Sequence, residues 1–199
     1  AVVWALAALL VPQVALTAWF VAIVRRRTRE FRDRDRERSM SAGVPAEVVL
    51  CLRGCDATLD EVFAALAEQS HAAWRLRVVV DSPRDPAWRA AHALRQALRG
   101  LEAGTRVVAL VDADAVVHRD WLLTLVDECL RPGVGAVSGN RWYVPERTTA
   151  AAMVRALWNA GAIVQMTTFG IPWGGSLAVR REALEASRWA EVSESTLCE

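Results

Sequence analysis

VVALVDADAVV, residues Val107 to Val117, reads as a buried strand that delivers two carboxylates, Asp112 and Asp114, to the point where the backbone leaves the sheet. The strand is predicted over Arg106–Val111. Holding two like charges together is costly unless a cation compensates. Mg2+ or Mn2+ suits such a place, because each binds through one or two carboxylates plus phosphate oxygens. The bland alternative is a solvated turn at a strand end, where Asp is common.

Working outward, the same strand-then-helix pattern repeats. Glu47–Leu52 (EVVLCL) is a short apolar strand ending in the turn Arg53-Gly54-Cys55-Asp56. A helix follows from about Leu59 to Gln69, with Thr58 and Glu61 spaced as a capping box. Arg75–Val80 is a second strand ending at Asp81, and Asp85-Pro86 suits the start of a helix running to about Leu101. Beyond the acidic pair, Arg119–Leu130 is an amphipathic helix stopped by Pro132-Gly133. Val134–Ser138 is a strand, Thr148 to about Thr168 a long apolar helix, and Trp173–Val179 a further strand. Strands alternating with helices imply an α/β fold, Rossmann-like, with a mostly parallel sheet covered on both faces. Ligands of such sheets bind at the carboxyl ends of the strands, where Arg53, Asp81 and Asp112 all fall.

The front of the chain is different. Ala1 to Val24 carries no charge, long enough as a helix to cross about 30 Å of hydrocarbon. A secretory signal peptide would place its basic cluster first; here Arg25, Arg26, Arg27 and Arg29 come after, which favours an uncleaved transmembrane helix over residues 1–24. Residues 25–46 form a basic juxtamembrane segment and linker. By the positive-inside rule that collar keeps everything after it in the cytoplasm, at a bacterial inner membrane; it could also hold anionic headgroups.

With 199 residues, the chain has room for one sizeable domain plus this anchor. Its net charge of +1 conceals the collar, and basic residues elsewhere form no stripe, so nucleic acid is not expected as a partner. All 24 basic residues are Arg; there is no Lys. Cys51 and Cys55 lack a second close pair, which argues against zinc and for small core residues. His71, His92 and His118 are scattered, as surface or helix-end residues would be. Trp142, Tyr143 and Trp158 are expected to pack in the core or to face the membrane.

Taken in order, VVLCLRGCD (48–56), AEQSH (67–71), RVVVD (77–81), VDAD (111–114), VSGNRWYVP (137–145), LWNAG (157–161) and IPWGGSLAVRREAL (171–184) resemble the inverting family-2 glycosyltransferases of GT-A fold. The resemblance is nearest to the ceramide-glucosyltransferase-like branch. It makes residues 47–199 a glycosyltransferase catalytic domain, C-terminally truncated. It implies transfer of a hexose, from a UDP-sugar or similar nucleotide-sugar donor, to a lipid or other hydroxyl acceptor, with inversion, as in glycolipid biosynthesis. Arg53, Gly54, Asp81 and Asp112 would bind the donor, and Asp112 and Asp114 would hold Mg2+ or Mn2+. Trp173, Gly174 and Gly175 would lie beside sugar and acceptor; paired glycines allow close approach, and a Trp offers an apolar face. Glu199 matches the Glu of the family's Glu-Asp motif, whose Asp, the general base, would be the next residue.

Two departures stand against this. The Lys-containing segment of relatives between Asp81 and Asp112 is absent here, which an internal deletion or an Arg substitute such as Arg89 or Arg95 would explain. The base itself lies outside the 199 residues. A catalytically degenerate, membrane-anchored nucleotide-sugar-binding protein is therefore the first alternative. A D-x-D phosphatase is the second, disfavoured because it needs a Lys and usually begins with the motif strand.

Overall fold

The computed structural model describes residues 11–12, 14–16, 18–26, 29, 41–52, 57–80, 90–141, 143, 145 and 147–189. Two compact units divide the chain, Ala1–Ser39 and Met40–Glu199. In the first, the described residues are helical and mostly exposed. Among the described residues no helix is long and apolar enough to cross a membrane. Residues 1–10, 13 and 17 of the expected anchor, and most of the basic collar, lie outside the described residues.

The second unit is a five-stranded sheet with helices on both faces. In chain order it contains β1 (Ala46–Leu52), α1 (Leu59–Ala67), β2 (Trp74–Val80), α2 (Ala90–Arg99) and β3 (Val107–Val111). Then follow α3 (Trp121–Cys129), β4 (Ala136–Ser138), α4 (Ala150–Phe169), β5 (Ser176–Arg180) and α5 (Arg181–Ala186). The strands lie in the order β2-β1-β3-β5-β4.

Alternation along the two central strands builds both faces, since successive side chains of a strand point to opposite sides. Val48, Leu50, Val107, Ala109 and Val111 meet Val62 and Leu66 of α1 and Leu122, Leu125 and Val126 of α3 in one buried cluster. Val49 and Val108 point the other way, to Ala97 and Leu94 of α2 and Leu184 of α5. Glu47 shares that second side and is buried. Its carboxylate accepts from Arg77, from the Glu102 amide (3.3 Å) and from the Thr105 hydroxyl (3.1 Å), so the charge has partners throughout.

The expectation of a mostly parallel sheet needs correction at one strand. β1 pairs in parallel with β2 and with β3, but β5 is antiparallel to both β3 and β4. Four strands run one way and β5 runs against them. The fourth and fifth strands are also shorter than expected: Val134, Gly135 and residues 173–175 lie outside the ladder.

Caps differ from expectation as well. Thr58 precedes α1 but makes no side-chain cap hydrogen bond. Its φ of −92° and ψ of 1° are not the extended conformation that aims a hydroxyl at the first turn. Thr149 is extended and does cap α4, accepting from the Ala152 amide at 3.2 Å. That helix ends at Gly170, whose φ of 63° is left-handed. The proposed start of α2 at Asp85-Pro86 is outside the described residues.

The AEQSH segment turns out to be a fastener. Gln69 accepts from the Leu122 amide (2.9 Å), satisfying an open N–H in the first turn of α3, and donates to the His118 carbonyl (2.9 Å). His71 is 2% exposed rather than a surface residue, and its Nε2 donates to the Val44 carbonyl at 2.8 Å. Burial holds its pKa below the usual 6.5, only partly offset by that bond.

Candidate functional site

The ends of β1, β2 and β3 share one sheet edge, because Leu52 is in register with Val80 and Leu50 with Val111. Arg53 and Gly54 follow the first of these strands and Asp81 the second. All three lie outside the described residues, as does Glu199.

Asp112 follows β3 at that edge. The reversal of β5 decides what meets it. Val111 is in register with Ser176, so the beginning of β5, not its end, stands beside the end of β3. Trp173, Gly174 and Gly175 are thereby carried to the acidic pair. The Asp112 amide donates to the Gly175 carbonyl at 3.1 Å. A β-carbon on Gly175 would lie 2.3 Å from Asp112 Oδ2 and 3.3 Å from Arg141 Nη2, so at this residue the missing side chain makes room for the Asp112 carboxylate. At Gly174 nothing stands within 4 Å of a β-carbon.

Trp173 is 40% exposed, which excludes the core role its size allows. Its backbone is pinned by Ser138 of β4, whose Oγ accepts from the Trp173 amide at 2.8 Å and donates to its carbonyl at 3.2 Å. The Trp121 indole donates to Ser176 Oγ at 2.9 Å, fixing the start of β5 from the α3 side.

The two carboxylates converge. Arg141 Nη2 donates to Asp112 Oδ2 at 2.7 Å and to Asp114 Oδ1 at 3.1 Å. The Asp side chains are 48% and 54% exposed, so a ligand can reach both. A single nitrogen thus occupies a point that two carboxylate oxygens address together. That donor set fits a hard divalent cation, which would complete its shell with phosphate and water oxygens. Among the described residues no group of three or more His, Cys, Asp or Glu is placed to hold a metal, so of these residues the pair alone would contribute.

Arg141 was not singled out by sequence reasoning, and Tyr143 beneath it was expected to pack in the core or to face the membrane. Its Nη1 donates to the Tyr143 hydroxyl at 3.2 Å. Burial disfavours the charged guanidinium, but Tyr143, Asp114 and Asp112 outweigh it and its pKa is raised. Tyr143 in turn carries the Arg155 guanidinium 4.3 Å over its ring centroid. The Tyr143 amide donates to the buried Asn159 Oδ1 at 3.1 Å. Arg155 and Asn159 are one turn apart on α4, so they present the same side of that helix. Hydrogen bonds from Arg141 and then Arg155 hold the Tyr143 hydroxyl below its ordinary pKa. Tyr143 is therefore part of the site, not of the core. The signal was its place in VSGNRWYVP, two residues after an Arg.

Cys51, one residue before the end of β1, has its pKa raised by burial and then by the Asp112 charge, which keeps it a neutral thiol. Cys129 is buried and pushed up to about 11. A cavity of about 190 Å3 between α2 and α5, lined by Leu98, Leu101, Arg181, Leu184 and Trp189, lies at the opposite sheet edge, because Arg180 is in register with the first residue of β3. It is not part of this site.

No family model and no curated protein sequence matches the chain. Solved structures do. A mannosyltransferase from Pyrobaculum calidifontis, in complex with GDP-Man and Mn2+, superposes with a TM-score of 0.53 at 23% identity, over 71% of this chain and 46% of its own. The glucosyl-3-phosphoglycerate synthase of Mycobacterium tuberculosis, with Mn2+, UDP and phosphoglyceric acid, does so with a TM-score of 0.50 at 19% identity, over 73% and 58%.

The fold is GT-A.

The chain spans about half the length of each of these GT-A neighbours.

Proposed function

We propose that the chain is a metal-dependent glycosyltransferase domain that takes a hexose from a nucleotide-sugar donor and passes it to a hydroxyl acceptor. One observation carries this: two carboxylates converge on a single point at the end of the third strand, in a GT-A sheet, with a glycine that leaves room for the first of them. The neighbours of that fold are glycosyltransferases solved with Mn2+ and with GDP-Man or UDP. Asp112 and Asp114 would hold Mg2+ or Mn2+, which when bound neutralises charge on the donor diphosphate as the nucleotide departs. Gly175 leaves room for the Asp112 carboxylate in its present position. Trp173 offers an exposed apolar face next to where a sugar would sit. Arg53, Gly54 and Asp81, at the neighbouring strand ends, are assigned to the nucleotide.

For the acceptor we favour a lipid hydroxyl, and for the stereochemistry inversion, in keeping with the ceramide-glucosyltransferase-like motifs. The support is α4. Leu157, Trp158 (82% exposed) and Phe169 are turned outward from it, and the chain runs on through Ile171 and Trp173 directly to Gly175. Singly exposed apolar residues are ordinary; a series leading to a ligand site is less so. A membrane anchor over residues 1–24, with its Arg collar facing the cytoplasm, would place such a helix near its substrate.

Titration of the protein with UDP- and GDP-sugars, in Mn2+ and in EDTA, tests the core of this. Binding that requires Mn2+ is expected, with sugar transfer to a lipid alcohol in vesicles exceeding transfer to a water-soluble one. Equal affinity in EDTA would sink the metal-dependent reading. Binding without turnover would leave a nucleotide-sugar-binding protein.

A further inference from the structure

We propose that Arg141 is the resident counter-cation of the acidic pair: it holds Asp112 and Asp114 while no metal is bound, and yields to a divalent cation by turning its donors to the incoming diphosphate. The inference rests on the metal-dependent reading above and adds to it a residue with two partners in sequence.

The geometry requires a choice between the two cations. Nη2 of Arg141 is within hydrogen-bond distance of both carboxylate oxygens at once, 2.7 and 3.1 Å. A divalent cation held by the same two oxygens would have no room beside a nitrogen in that position. Both also carry positive charge, so occupancy of one opposes occupancy of the other. The guanidinium is nevertheless not free to leave. Nη1 is already bonded to the Tyr143 hydroxyl, and Tyr143 is held by Asn159 and lies beneath Arg155, both on α4. Displaced from the carboxylates, Arg141 keeps this second hold and stays at the rim of the metal position. There its remaining donors match phosphate oxygens, which a planar fork recognises in pairs. An ordinary surface ion pair would involve one carboxylate and no such anchorage.

Mn2+ binding to the full chain, without nucleotide, followed by the electron paramagnetic resonance of free Mn2+, tests the competition. Arg141→Gln is expected to bind Mn2+ on the order of 10-fold more tightly than wild type. With saturating Mn2+, the same variant is expected to bind UDP and GDP about 10-fold more weakly. Equal or weaker Mn2+ binding by Arg141→Gln overturns the proposal. If wild type binds Mn2+ and the variant binds it equally, the metal-dependent function stands and only the role of Arg141 falls. If neither binds Mn2+, both fall. Should Arg141→Gln unfold before titration, Arg141→Lys serves. An ammonium grips the pair less well than the fork, so Mn2+ binds a few-fold more tightly, and unchanged affinity overturns the proposal equally.

Discussion

Gly175 and Asp112 are matched: the Asp112 amide donates to the Gly175 carbonyl, and the Asp112 carboxylate fills the space that a β-carbon on Gly175 would take, 2.3 Å away. Gly175→Ala must therefore push the carboxylate off its present position. We expect a stability loss of about 1–3 kcal/mol, as for other overpacked sites, together with a clear loss of Mn2+ affinity. Gly174→Ala is the control, because a methyl group there meets nothing within 4 Å. Urea unfolding and Mn2+ titration of both variants check this, and equal behaviour of the two would refute the matching.

Asp112→Asn and Asp114→Asn keep the shape and remove the charge. Both side chains are half exposed, so stability should change by no more than about 0.5 kcal/mol. Mn2+ affinity should fall at least 10-fold, roughly the minimum seen when even the outer partners of a metal site are lost. Retained affinity in both variants would mean that the ion, if bound, sits elsewhere.

Glu47 is 2% exposed with three partners, one of them Arg77. Glu47→Ala leaves a guanidinium, an amide and a hydroxyl with nothing to replace the carboxylate. A loss of about 3 kcal/mol is expected, the low end for a broken buried pair, since Arg77 keeps some contact with water. Denaturant midpoints measure it; a change below 1 kcal/mol would show that water fills the gap.

His71 makes stability depend on pH. Its folded pKa lies below the unfolded value of 6.5, so the unfolded chain binds the proton more readily. The stability contributed by neutral His71 is complete above that value and falls as pH drops through it toward the folded pKa. Unfolding at pH 8 and pH 5.5 should reveal the difference, and His71→Gln should flatten the slope over that interval.

Much of this architecture can be read directly from residues. β1 and β3 announce themselves through continuous apolar runs, VVL and VVALV, because both of their faces are covered. The acidic pair was visible because two like charges directly after such a run are costly to hold together without a cation, although a solvated strand-end turn reads the same in sequence. The direction of β5 was not visible: a period of two is the same in either direction, and only the register of Ser176 with Val111 reveals the reversal. Arg141 was hidden by composition. It is one guanidinium among 24 basic residues, and its carboxylate partners lie on the far side of α3 and β4 in the chain. Thr58 misled because side-chain spacing says nothing about the backbone angle that aims a hydroxyl.

The reversed strand also dictates an order of assembly. β5 is inserted between β3 and β4, so β4 has no neighbour in the sheet until a segment synthesised some forty residues later arrives. During translation the first three strands can pair as they emerge, while the corner containing Gly175 does not yet exist. Such non-local closure is slow relative to the pairing that precedes it. The acidic pair consequently acquires the neighbour that shapes it, Gly175, only when β5 docks.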